Sequence, residues 1–382
     1  MTPRAITGFG ILSAAGIGRA AFYETLRAGA PIVPRAPVAS FDAATYPEAR
    51  VAEVPDFDPT RFLGDKGLRS LDRQTKLLVV AARLCLEDGA LKKDGAFIAL
   101  GPERVGLCAS NAYGSLEAVV ELDRVAVLED PRYINPAKFP NTVANSASGY
   151  VSIWEELRAL NVAVSDGNCG ALDTVACADV YLETGRADAI VVGGAEALSE
   201  ALYVAFRRLG ALASETLLGE GAALFILESL ESAQARGAKV NALVIGTGTS
   251  FGAPSHDGAL LHASADAMER AVAEALRDAG IAAPSVDLVV SGVSQPGVFA
   301  KAELEGIRRV LGTTVAVTAP KQLFGETLGA SGALGMAAAL AWMDSVPVCT
   351  LIAGSAPANV GTSVVTSLGF YGNATAVVMR RG

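Results

Sequence analysis

The sequence predicts an α/β protein in which buried strands alternate with helices along one compact body. Three observations carry this expectation. Short β-branched runs recur through the chain, longer stretches with helical spacing lie between many of them, and no Pro/Ser-rich linker interrupts the alternation over 382 residues.

The strand candidates, in order, are Val105–Cys108, Val162–Val164, Ala189–Val192, Leu224–Leu227, Leu243–Ile245, Leu288–Val290, Val315–Val317 and Val348–Ile352. Their near-continuous apolar character is that of strands buried on both faces, which points to mostly parallel sheets. Helical spacing marks Lys76–Glu87, Ala171–Glu183, Ala265–Ala279 and Ser331–Met343. One sequence of elements occurs twice. Strand Val162–Val164 leads through a Gly-containing turn into helix Ala171–Glu183 and strand Ala189–Val192. Strand Val315–Val317 leads likewise into helix Ser331–Met343 and strand Val348–Ile352. The two copies lie roughly 150 residues apart, the spacing of two similar domains packed together. The expected halves are residues 1–235 and 236–382.

Composition narrows the function. Hydrophobic residues make up 51% and charged residues 19%, and mean hydropathy is +0.37. So apolar a composition suggests either that a partner covers part of the surface, because obligate interfaces resemble a domain core cut in half, or simply a large Ala- and Gly-rich enzyme. Net charge is −9, and the basic residues form short pairs such as Arg308-Arg309 and Arg380-Arg381 rather than a stripe. Nucleic-acid binding is disfavoured. The cysteines Cys85, Cys108, Cys169, Cys177 and Cys349 are odd in number and show no CxxC spacing. That argues against a disulfide framework or a metal site and fits a reducing cytoplasm. No apolar run approaches the ~20 residues of a membrane helix, and a strand-like run (Ala5–Ser13) begins where an export signal would stand. The expectation is a soluble, cytoplasmic protein with no cofactor and no membrane partner.

A set of Gly-containing motifs then adds a resemblance. Ile6-Thr7-Gly8-Phe9-Gly10-Ile11-Leu12-Ser13 opens the series. Asp72-Arg73, Asn141-Thr142-Val143-Ala144-Asn145 with Gly149, and Gly185-Arg186-Ala187-Asp188 follow. Gly193-Gly194-Ala195-Glu196, Gly219-Glu220-Gly221-Ala222 and Gly369-Phe370-Tyr371-Gly372 complete it. In this order and spacing the chain resembles the β-ketoacyl synthases of the thiolase superfamily from its first strand to its last. The resemblance implies a thiolase-like fold, two similar halves in a five-layered αβαβα arrangement. It also implies a Cys nucleophile at a strand-to-helix elbow, two His residues and a nearby Lys. A helix N-terminus would stabilise the thiolate, and the imidazoles would donate to the enolate oxygen formed on decarboxylation.

Against that pattern the elbow reads Val164-Ser165-Asp166-Gly167-Asn168-Cys169-Gly170-Ala171-Leu172-Asp173, and a gapless match to the family's Val-Ser-Thr-Ala-Cys-Ala-Ser-Gly-Leu-Asp puts Asn168 at the nucleophile position. Ser291-Gly292-Val293-Ser294-Gln295-Pro296 stands where the family has His-Gly-Thr. Lys321-Gln322-Leu323-Phe324-Gly325-Glu326 matches Lys-Ser-x-x-Gly-His, which keeps Lys321 and replaces the second His by Glu326. The chain's two histidines, His256 and His262, fall outside both motifs and read as loop or surface residues. Asn168 cannot carry a thioester. An ionised Glu326 would oppose the developing negative charge by on the order of 4 kcal/mol at ~4 Å and an effective dielectric of ~20, a loss of nearly three decades in rate.

The implied role is a chain-length factor, or ketosynthase β-subunit. Such a subunit pairs with a catalytic ketosynthase as a heterodimer, works with an acyl carrier protein and shapes the tunnel in polyketide or fatty-acid biosynthesis. One alternative is an acyltransferase that uses Cys169 as a displaced nucleophile. One step into a helix turns a side chain by ~100°, so Cys169 would need a slip in the elbow. Otherwise it is a small buried apolar residue. A second alternative is a carrier-protein scaffold without catalysis. Lys321 reads as an ion-pair partner of Glu326 or a structural remnant. Phe370 matches the family's gating Phe or is a core aromatic. The Asn141–Asn145 segment is expected at a dimer interface or behind the elbow.

Overall fold

A computed structural model describes residues 1–29, 33–209, 217–254, 261–294, 297–346 and 350–382. In the first half lie strands β1 (Arg4–Ser13), β2 (Val105–Ser110), β3 (Asn161–Val164), β4 (Ala189–Glu196) and β5 (Gly221–Ser229). In the second lie β6 (Ala242–Phe251), β7 (Leu288–Val290), β8 (Ala316–Thr318), β9 (Leu351–Ala353), β10 (Thr362–Leu368) and β11 (Asn373–Arg381). The helices that frame them are α1 (Arg73–Asp88), α2 (Leu116–Leu128), α3 (Ser146–Glu155), α4 (Gly170–Glu183), α5 (Glu200–Leu209), α6 (Ala265–Ala279), α7 (Val298–Leu311) and α8 (Ser331–Met343).

Strand pairing repeats between the halves. The spatial order is β3-β2-β4-β5-β1 in one and β8-β7-β10-β11-β6 in the other, and β9 extends the second beyond β8. In each half the first two pairings of that order are parallel and the last two antiparallel. The halves join where β1 runs antiparallel to β6, with Arg4 opposite Val244 and Ile6 opposite Ala242.

Two expectations change. The sheet is mixed rather than mostly parallel. β5 is buried along nearly its whole length yet antiparallel to both neighbours, because burial on both faces, and not strand direction, sets how apolar a strand is. The duplication holds, but the counterpart of Ala189–Val192 is β10 and not the Val348–Ile352 run. That run contributes β9, an added edge strand antiparallel to β8, and its residues 348 and 349 lie outside the described residues.

The helices fill three layers. α1 packs on β1, β5 and β4, with α3 beside it, and α6 packs on β6 and β11, with α7 beside it. α6 shows why such a helix sits on a sheet. Ala267, Met268, Ala271, Val272, Ala275 and Leu276 form one buried stripe, capped by Ser264 at the start and by left-handed Gly280 at the end. α4 lies against β4 and β2, and α8 against β10 and β5. The two touch each other between the sheet halves, and every residue of α8 is buried. The cores follow the layers: one cluster under α1, one under α6, and a larger central one around α4 and α8.

The middle helices approach closely because Gly332 has no side chain. A Cβ there would stand 2.6 Å from Leu172 Cγ. We expect Gly332→Leu to lower stability by about 1–3 kcal/mol through overpacking, read as a lower urea midpoint. An unchanged midpoint would contradict so close a contact.

Candidate functional site

The elbow joins β3 to α4 through a turn at Gly167–Cys169, and Gly167 takes a left-handed φ of +56° that favours a residue without Cβ. The turn belongs to the first half, but strands of the second half clamp it. Ser367 Oγ donates to the Asn168 carbonyl at 2.8 Å, and Asn373 Nδ2 donates to the Asp166 carbonyl at 3.0 Å. Behind it, Asn111 donates its backbone N–H to the Val164 carbonyl and its side-chain amide to the Ala144 carbonyl at 2.8 Å. This gives the Asn141–Asn145 segment a supporting contact with the elbow.

Asn168 sits at this turn, 2% exposed, and its Oδ1 has no hydrogen-bond partner among the described residues. Cys169 is fully buried, and its thiol donates to the Ser367 carbonyl at 3.3 Å. Burial pushes that thiol far above its usual range, and the charges of Asp173 and Asp166 push it further. A thiol so placed stays protonated and is turned toward backbone. Asp173, on the first turn of α4, is itself pushed up to about 7. Burial is the main cause and its neighbour Asp166 adds to it, while a 2.7 Å hydrogen bond from Thr375 Oγ1 opposes them.

Lys321 and Glu326 meet in a second buried group. Lys321 Nζ donates to both carboxylate oxygens at 2.8 and 2.9 Å, and the two side chains are 2% and 3% exposed. Glu326 Oε1 also accepts from Leu328 N at 3.0 Å and Ser331 Oγ at 2.9 Å. The carboxylate is thereby neutralised and bonded rather than free, which removes the bare negative charge that the sequence alone suggested. Leu328 follows with φ +46°, a strained setting for a bulky residue. The turn Leu328–Ala330 packs on the elbow turn, so this cluster and Asn168 share one site.

Other groups complete the surroundings. Ser291 follows β7 directly, with its hydroxyl donating to the Thr318 carbonyl at 2.8 Å. The next residue, Gly292, donates its N–H to Glu303 Oε1 at 2.7 Å, and Thr366 Oγ1 donates to the same oxygen at 2.7 Å. Burial raises the Glu303 pKa, with Lys321 opposing and Glu326 reinforcing. Phe370 shares a cluster with Leu328 and packs edge-on against Phe299 and Phe206, with ring centroids 5.1 and 6.0 Å away. His262 lies apart from the elbow contacts. Its backbone N–H donates to the Phe370 carbonyl at 2.9 Å, and its ring Nε2 lies 2.8 Å from the Gly252 carbonyl. His256 and Gln295-Pro296 lie outside the described residues.

Sequence reasoning missed three of these groups. Glu303 had a visible signal, an acid on the stripe of α7 otherwise made by Ala300, Gly306 and Ile307. Glu196 was read only as part of a Gly-rich motif. It is fully buried and accepts N–H bonds from Ala112, Tyr113 and Gly329 at 2.7 to 3.1 Å, while burial raises it to about 7. The positive φ of Leu328 has no sequence signal at all.

Residues 1–233 match the family model "Beta-ketoacyl synthase, N-terminal domain", and residues 241–351 match "Beta-ketoacyl synthase, C-terminal domain". The chain belongs to the β-ketoacyl synthase family. Among curated relatives, 3-oxoacyl-[acyl-carrier-protein] synthase 2 of Vibrio cholerae is 31% identical over 357 residues, which is 86% of this chain and 83% of that one. The protein of the same name from Rhizobium meliloti is 27% identical and covers 98% of both chains. Two solved structures share the fold over the whole chain. The ishigamide ketosynthase/chain length factor has a TM-score of 0.86 at 24% identity, with 99% of that chain covered. A ketosynthase in complex with its chain length factor from Xenorhabdus doucetiae has a TM-score of 0.80 at 18% identity, with 98% covered. The thiolase-like ketosynthase fold with N- and C-terminal parts is therefore that of this protein.

The ion pair gives a direct stability test. Lys321→Met would leave Glu326 buried without its cation and should cost about 3–5 kcal/mol. Lys321→Met combined with Glu326→Gln should recover most of that loss in urea unfolding, because the amide keeps an acceptor for Leu328 and Ser331.

Proposed function

We propose that this family member is a non-catalytic ketosynthase-like subunit, a chain-length factor that pairs with an active ketosynthase and helps set the length of an acyl or polyketide chain. The observation that carries this reading is the elbow. An amide, Asn168, stands at the nucleophile position of the family pattern, and the nearest thiol, Cys169, is sealed against the Ser367 carbonyl. At the matching position of the second His, Glu326 is locked to Lys321 rather than offered as a donor to an enolate oxygen. Among the described residues, neither acyl transfer to Cys169 nor decarboxylative condensation finds the groups it needs.

The surface supports a partner. Among the described residues β3 pairs with β2 alone, which leaves its other edge open there. Ile153 on α3 and Val180 on α4, the helices on either side of that edge, are 73% and 60% exposed. α2 is richly apolar yet buries none of its 13 residues, and Val127 and Leu128 stand in solvent. So much unpaired apolar surface is what a subunit interface covers. The partner on this reading is a catalytic ketosynthase, as in the structural neighbours whose ketosynthase is bound to its chain length factor. An acyl carrier protein would bring the chain, as in the neighbour described as a carrier protein in complex with its ketosynthase.

Co-expression with an intact ketosynthase, with the tag on this chain, should yield a one-to-one complex. Ile153→Arg with Val180→Arg should lose the partner while leaving the circular dichroism and urea midpoint of this chain nearly unchanged, since both side chains are exposed. If the wild-type complex turns over but its product length does not respond to substitution of the exposed Val127 and Leu128 of α2, the subunit is a scaffold and the length-setting role is wrong.

A further inference from the structure

Cys108 and Cys177 come together where α4 crosses β2. Cys108 lies in the central core, whereas its strand neighbours Leu107 and Ala109 lie in the outer core under α1, so Cys108 is directed at α4. Two anchors fix the height of α4 on the sheet. Gly170 sits so close to β2 that a Cβ there would stand 2.3 Å from Ser110 Oγ. Thr174 Oγ1 accepts from Gly193 N at 3.0 Å, in the row where Gly193 pairs with Ala109. The next row contains Cys108, opposite Val192. The next helical turn, ~5.4 Å further on, brings Cys177 and Ala178 over it. Cys177 packs against the central core to which Cys108 belongs.

We propose that Cys108 and Cys177 form an oxidisable dithiol, a modification site at which a hydroperoxide closes a disulfide between β2 and α4. Cys177 is the attacking sulfur, because it is half-buried while Cys85, Cys108 and Cys169 are fully buried. The neighbouring Cys108 thiol lowers the Cys177 thiol to about 7, whereas burial pushes Cys85 and Cys169 well up. The Cys177 thiolate attacks one peroxide oxygen. An S–O bond forms, the O–O bond breaks, and the departing alkoxide takes a proton to leave as alcohol, or as water from hydrogen peroxide. The Cys108 sulfur then displaces the hydroxyl of the Cys177 sulfenic acid. An S–S bond forms, the S–O bond breaks, and the hydroxyl leaves as water with the Cys108 proton. Two thiols and one hydroperoxide thus give one disulfide, one alcohol and one water. The bond staples the helix whose leading turn carries Asn168 to the sheet beneath it.

The test treats the full-length chain with hydrogen peroxide and maps an unreduced digest by mass spectrometry. The expected product is the Cys108 peptide joined to the Cys177 peptide, two hydrogens lighter than their sum. In Cys108→Ala, the sulfenic acid should persist on Cys177 and be captured by dimedone, and alkylation of Cys177 by iodoacetamide should slow about tenfold as its thiol rises toward its ordinary range. Recovery of both cysteines as free thiols from treated wild-type protein would overturn the proposal without recourse to any variant. So would dimedone capture at Cys85 or Cys169 in place of Cys177.

Discussion

α8 has no face that can meet water. All of its 13 residues are buried, and its mate α4 gives most of its apolar residues to the same central core. Two such helices can be stable only if a sheet covers each outer side, and each sheet half then needs its own outer helices, α1 with α3 and α6 with α7. The layered body follows from that one burial requirement. The site follows too, because the turn that starts α4 falls where strands of the other half can reach it. Ser367 and Asn373 from the second half hold the backbone of Asn168 and Asp166. The elbow backbone is therefore held independently of the side chain it presents.

The same rigidity explains how charge is handled. A buried carboxylate at residue 326 would be costly alone, but Lys321, Leu328 and Ser331 surround it with donors. Glu303 is bonded from Gly292 and Thr366, and its raised pKa reflects burial beside that pair. Both carboxylates are held by donors from neighbouring residues. This arrangement holds the turn Leu328–Ala330 against the elbow.

Much of this was legible in the residues. α6, α8 and β7 fall on the stretches Ala265–Ala279, Ser331–Met343 and Leu288–Val290, because their apolar periodicity is undiluted. Lys321 and Glu326, five residues apart, were readable as an ion pair, and they are one. The late strands Thr362–Leu368 and Asn373–Arg381 escaped because Thr, Ser and Asn interrupt their apolar runs. Strand direction escaped because buried antiparallel and parallel strands have the same composition. The positive φ of Leu328 and the stacking of Cys177 over Cys108 depend on tertiary contacts that no local pattern encodes.

The central claim, that this subunit does not itself carry an acyl chain, is tested most directly by incubating its complex with a catalytic ketosynthase with acyl- and malonyl-carrier protein and recording the intact mass of each subunit. The account predicts an acyl adduct on the partner alone. An adduct on this chain that disappears in Cys169→Ala would contradict it and make the protein an acyltransferase with a displaced nucleophile.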